Sequence, residues 1–159
     1  MRIGIHQPMY LPWLGLFDRV EKCDAFVQLD NVPYSKNYLL NRNKIKTKDG
    51  WMWLTVPVLT SGKLEQNINK VKIDNSTNWA NSHWKSIFYS YSKSPCFKVH
   101  SQFFEEVYSK KHEYLNELID EIFFYCIKEM GIKTKIIKAS ELDAGGRKEE
   151  LVLNICKSI

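Results

Sequence analysis

The chain has 159 residues, 44% of them hydrophobic and 26% charged, and 23 Lys and Arg against 18 Asp and Glu leave a net charge of +5. That length suits a single domain, 1–159, with one buried core, and the composition excludes disordered and collagenous architectures. No apolar run approaches the ~20 residues of a membrane helix, and four scattered cysteines without a CxxC pair argue against a disulfide framework or a metal site, so a cytoplasmic location is expected. The basic excess favours anionic partners in general, although a Lys-rich solvated surface is the plainer account of it.

Residues 2–6, RIGIH, read as a first strand ending on a polar residue. Then comes QPMYLPW. A helix accepts Pro only in its first turn and a central strand excludes it, so Pro8 and Pro12 mark a shaped loop. Residues 12–23, PWLGLFDRVEKC, fit a helix with Pro12 in its first turn. Trp13, Leu16, Phe17 and Val20 share one face, with Trp13 read as an anchor to the core. AFVQLD, 25–30, reads as a second strand. Strand, helix and strand in quick succession predict a parallel pair.

Residues 31–50, NVPYSKNYLLNRNKIKTKDG, are polar and basic and read as a long loop. WMWLTVPV, 51–58, and VKID, 71–74, read as strands separated by the turn-rich LTSGKLEQNINK, which predicts an antiparallel side sheet. From Thr77 the period becomes helical: TNWANSHWKSIFYSYSKS, capped by Thr77 or Asn78 and interrupted at Pro95. Residues 98–130 read as one or two helices, EYLNELIDEIFFYCIKEMG being the clearest, with Gly131 as C-cap. TKIIKASEL, 134–142, is a late strand, and ELDAGGRKEELVLNICKSI gives a loop and a final helix. The fold class is α/β: a small, mainly parallel sheet with a Rossmann-like βαβ start, antiparallel side strands and a helical C-terminal half.

Ligands of α/β folds bind beyond the carboxyl ends of parallel strands. His6 ends the first strand and could act as general acid/base or anion donor. The plainer reading has it bonding a loop carbonyl to hold the turn. Asp30 ends the second strand at the same edge. Asn41 and Arg42 follow, and their directional amide and guanidinium donors suit a polar anion, against the plainer reading of a basic solvated hairpin. His83 shares a helix face with Trp79 and Ile87, either as a second imidazole at the site or as a core residue. Ser140, Gly145 and Gly146 form loop punctuation rather than a GxGxxG or P-loop signature. HExxH, GxSxG and DxD are absent from the sequence. Aromatic and basic residues interleave between 34 and 54, as in single-strand nucleic-acid binders, but without an RNP-like motif or a continuous charged stripe; nucleic acid is set aside as a partner.

The stretches IHQPMYLPWLGLFDRV, CDAFVQLDNVPYSKNYLLNRNKIK, WLTVPV, WANSHWKSIFYSYSKSPCF and SELDAGGRKEELVLNIC together resemble the WbqC-like family of bacterial proteins. The resemblance covers essentially the whole chain, and HQPxYLPW is too specific a string to arise from general structural needs. It implies an association with O-antigen and other surface-polysaccharide gene clusters, and an acyl- or aminoacyl-transfer step on an amino sugar or nucleotide-activated sugar. It also implies that a C-terminal part usual in the family is missing here. On this reading the loop holds His6, Gln7 and Tyr10 toward a pocket with Asp30, Tyr34, Asn41 and Arg42. His6, Asp30 and His83 are the candidate catalytic groups, and Gln7, Tyr10, Tyr34, Asn41 and Arg42 the candidate substrate contacts. The expected ligand is an anionic small molecule, a sugar phosphate or nucleotide-sugar, and His6 and Arg42 are expected to share its cleft. No cofactor is specified, stable membrane insertion is not expected, and homo-oligomerisation is left open. The alternative is a non-catalytic sugar-nucleotide-binding or assembly protein of the same pathway.

Overall fold

In the computed structural model, residues 1–36, 38–62 and 65–159 are described. Asn37 of the predicted basic loop and Lys63 and Leu64 of the predicted turn-rich segment lie outside them. Strand β1 (Ile3–His6), helix α1 (Leu14–Glu21) and strand β2 (Ala25–Gln28) form the expected parallel unit, Ile3 opposite Ala25 and His6 opposite Gln28. The late strand, β5 (Lys135–Lys138), pairs parallel with the other side of β2, giving the order β1-β2-β5. Both crossovers step the same way across the sheet, so the right-handed rule puts both connecting helices on one face. That face is closed by Leu16, Phe17 and Val20 of α1 and by Phe123 and Ile127 of helix α4 (Leu115–Glu129), packed against Phe26. The Phe123 ring lies 5.8 Å from Phe17 and 6.2 Å from Phe26. Helix α5 (Lys148–Ser158) covers the opposite face with Leu151 and Ile155 against Val27.

Trp13 does not anchor α1; it is 55% exposed. Its ring lies over Gly15, where a Cβ would come within 1.8 Å of it. The helix is held by the three apolar residues that follow at helical spacing.

The loop predicted over 31–50 contains a strand. Strand β3 (Arg42–Thr47) and strand β4 (Gly50–Thr55) form an antiparallel hairpin, with Lys44 opposite Trp53 and Lys46 opposite Trp51. RNKIKT alternates with period two, but Ile45 is its one large apolar residue and the flanking lysines hide the pattern. The predicted pairing of 51–58 with 71–74 survives only as a bridge between Val58 and Ile73. The main ladder ends at Thr55, two residues before Pro57, which cannot donate to one.

Helices α2 (Trp79–Tyr91) and α3 (Phe97–Ser109) divide the segment predicted helical around Pro95. With α4 they build a second core: Ile45, Leu54 and Val56 of the hairpin region meet Trp79, Ile87, Val107, Leu118, Ile119 and Ile122. Helix α4 therefore buries two faces, one on the sheet and one on this core. Its first turn is held by Glu117 Oε2, which accepts from the Tyr114 and Glu113 amides at 3.0 and 3.1 Å. Its last turn closes at Gly131, φ +69°. There the amides of Gly131 and Ile132 donate to Lys128 O and Ile127 O at 3.0 and 3.1 Å, a Schellman closure. Among the described residues, no helix is long and apolar enough to cross a membrane.

Candidate active site at the carboxyl edge of the sheet

The register aligns His6, Gln28 and Lys138 at the carboxyl ends of the three strands. The pleat puts all three on the face of Phe26, which α1 and α4 cover. Just beyond this row, a cleft of about 290 Å³ opens, lined by Asp30, Asn69, Lys70, Tyr114, Asn116, Glu117, Asp120, Lys138, Ser140 and Glu141.

Four elements supply these groups. The chain after β2 brings Asp30, only 1% exposed. The 3₁₀ turn Ala139–Glu141, straight after β5, places Ser140, whose amide and hydroxyl donate to Asp30 Oδ1 and Oδ2 at 2.9 and 2.7 Å. Both Asp30 oxygens are thus engaged in fastening the end of β5 to the end of β2. The 3₁₀ turn Ile68–Lys70 brings Asn69, whose amide donates to the Asp30 carbonyl at 3.0 Å. Helix α4 contributes Asn116 and Asp120, four residues apart and so on one stripe.

Asp120 is the hub of the cleft. Its Oδ2 accepts from Lys138 Nζ at 2.7 Å and from Asn116 Nδ2 at 3.0 Å, and Gln28 also donates to this carboxylate. Because a carboxylate only accepts, both amides are fixed with nitrogen toward Asp120 and oxygen away. Asn116 Oδ1, Gln28 Oε1 and Asp120 Oδ1 have no hydrogen-bond partner among the described residues. Burial raises the Asp120 carboxyl above the usual range, opposed by the hydrogen bond and charge of Lys138 and reinforced by the charge of Asp30. Burial also pulls the Lys138 ammonium down, but Asp120, with Glu141 and Asp30 behind it, more than offsets this and leaves it raised. The cleft thus holds an internal ion pair, an excess of acceptors and a hydroxyl.

Of the residues singled out in the sequence, the cleft receives Asp30. His6 sits one strand away, its Nδ1 2.7 Å from the Gln7 carbonyl. A carbonyl only accepts, so Nδ1 carries a proton, and the tautomer this selects has its lone pair at Nε2. Gln7 is half-buried. Tyr10 and His83 meet inside the second core: Tyr10 Oη lies 2.8 Å from His83 Nδ1 and 2.5 Å from Tyr108 Oη. Tyr10 is fully buried and His83 is 6% exposed. Burial depresses His83 to about 4, against a backbone hydrogen bond with Thr55, and raises both phenols. Asn41 holds the hairpin root, its Nδ2 donating to Val56 O at 2.8 Å. The Arg42 guanidinium stacks 4.6 Å from the Trp53 ring. Its charge also reaches the partly buried Tyr34, whose phenol is nevertheless raised, by burial.

Sequence reasoning missed Asn69, Asn116, Asp120 and Lys138 as site residues and treated Ser140 as punctuation. A signal for two of them existed: Asn116 and Asp120 lie among the apolar residues Leu115, Leu118, Ile119, Ile122 and Phe123.

The profile of the WbqC-like protein family matches residues 7–159. The chain belongs to the WbqC-like protein family. A WbqC-like chain of this sequence is 31% identical over 157 residues to a protein of Mycobacterium tuberculosis named "Uncharacterized protein Rv1507c", covering 98% of this chain and 68% of that one. No solved structure matches this WbqC-like chain. The profile begins at Gln7, so it takes in the proline loop, the cleft and the five described helices, while the whole of β1 lies before it.

Proposed function

We propose that the protein is a transferase of bacterial surface-polysaccharide (O-antigen) biosynthesis, moving an acyl or aminoacyl group onto an amino sugar or a nucleotide-activated sugar bound at the sheet-edge cleft. The observation that carries this reading is the Asp120 hub. The unpartnered oxygens of Asn116 and Asp120 suit a ligand rich in amine and hydroxyl donors, and Lys70 and Lys138 suit a phosphate or carboxylate on the same ligand. Family membership supports the pathway. In this reading Nε2 of His6 takes the proton of the amine or hydroxyl as it bonds to the acyl carbon of a thioester donor, the carbon–sulfur bond breaks, Lys138 held by Asp120 gives a proton to the departing thiolate, and Asp30 positions Ser140. Arg42, with Tyr34 and Asn41 beside it, binds an outlying anionic part of the ligand. Tyr10 and His83 set the core beneath, and Gln7 fixes the His6 tautomer.

A thermal-shift screen with nucleotide-sugars, amino sugars and acyl-CoA thioesters tests the reading, followed by mass analysis of any product. A nucleotide-sugar or amino sugar should raise the melting temperature of the wild type and not of Asp120→Asn, and His6→Ala should bind but not turn over. Binding unchanged in Asp120→Asn would sink the cleft as the site. A second reading, a binding or assembly protein with the same cleft, is favoured by the engagement of His6 with the Gln7 carbonyl. Ligand binding with no product from any thioester donor would favour it.

A further inference from the structure

The outer face of the β3–β4 hairpin combines exposed indoles with lysines. Its inner face carries Ile45 and Leu54 into the core, so the antiparallel register puts Arg42, Lys44, Lys46, Trp51, Trp53 and Thr55 together on the outside. Trp51 is 58% and Trp53 37% exposed. Lys44 Nζ lies 3.5 Å from the Trp51 centroid and 5.0 Å from that of Trp53. Lys48 extends the positive charge into the turn, and Asp49 is the one acid between 42 and 55. A merely solvated basic strand has no use for two exposed indoles, whose apolar surface is costly in water. Stacking platforms for bases offer free ring faces in succession along a basic groove. Here the two rings stand at 82° and a cation covers one face of each. Tryptophan beside lysine is instead the composition of the membrane–water interface. An apolar groove of about 380 Å³ opens beside the hairpin, lined chiefly by Leu11, Ile45, Ile87, Tyr91, Phe97 and Phe104, with Lys44 on its rim.

We propose that this face docks on an anionic bilayer, Lys44, Lys46 and Lys48 meeting lipid phosphates and Trp51 and Trp53 entering the boundary between headgroups and acyl chains. The charge complementarity is direct, and the apolar groove gives a protruding acyl chain a place against the protein. Docking is peripheral and leaves the sheet-edge cleft to its own ligand.

Co-sedimentation of the purified chain with phosphatidylcholine vesicles, with and without phosphatidylglycerol, tests this. Binding should require phosphatidylglycerol, weaken as salt rises, and shift tryptophan emission to the blue. Lys44→Gln/Lys46→Gln should weaken it on the order of tenfold or more, since each such cation contributes about 1 kcal/mol at an anionic surface. Trp51→Ala/Trp53→Ala should weaken binding and remove the blue shift. All these side chains lie on the outer face, and unchanged circular-dichroism melts would show that both variants fold. Equal binding to neutral and anionic vesicles, no binding to either, or variants that bind like wild type would overturn the proposal. So would displacement from vesicles by a short single-stranded oligonucleotide or by an equal concentration of inorganic phosphate.

Discussion

His83 shows how a residue of catalytic type becomes a stability element. Its imidazole is neutral in the folded core, where burial holds it near 4 against an ordinary value of 6.5. Unfolding frees it to take up a proton at pH values where the folded protein cannot. The stability due to the neutral ring is therefore complete above about pH 6.5 and is lost as the pH falls toward 4, roughly 2 kcal/mol of it by pH 5. Urea unfolding of wild type and His83→Gln at pH 7.5 and pH 5 should show the gap between them shrinking by about that amount. A gap independent of pH would return His83 to the list of exposed, titrating groups. The place of Asp30 at the carboxyl edge of the sheet was legible in the sequence because it ends the second predicted strand. Asp120 and Lys138 were not, because their meeting depends on how α4 lies across the sheet, and spacing within one element carries no record of that.

At the scale of the element, the helices and the βαβ start could be read because their apolar period is unbroken. The hairpin could not, because half of its first strand faces out and carries lysine. Gly131 was legible as a stop, and the Schellman closure shows why. Nothing lies within 4 Å of the Cβ that alanine would add there, so Gly131→Ala tests backbone conformation alone. An L-residue at φ +69° costs roughly 1 kcal/mol, and the urea midpoint should fall accordingly with the slope unchanged. No change, or a loss above about 3 kcal/mol, would mean that the closure of α4 rests on something other than the glycine.

For the molecule as a whole, the parallel pairing of β1 and β2 followed from the short connection, but nothing local said that β5 would lie beside β2 or that α5 would take the opposite face. Those facts are set by Phe26 and Val27 pointing to opposite sides and each needing a cover. Phe123 is where α1, the sheet and α4 converge, so Phe123→Ala should cost about 3–5 kcal/mol, a large share of the stability of a domain this size. Thermal unfolding should show one cooperative transition, lowered; a loss under about 1 kcal/mol would mean that the two cores stand independently.

The central strand has a partner that arrives late. Everything from Leu29 to Thr134 lies between β2 and β5, so on the ribosome the Val27 side of the sheet waits uncovered until β5 and α5 have emerged. Pairing at such sequence separation is slow, and the waiting intermediate exposes apolar strand surface. Nascent chains stalled with β5 still in the exit tunnel should therefore be cut by protease within β1 to β2, and chains released to Ile159 should not. Equal resistance in both would mean that the N-terminal unit folds without its third strand.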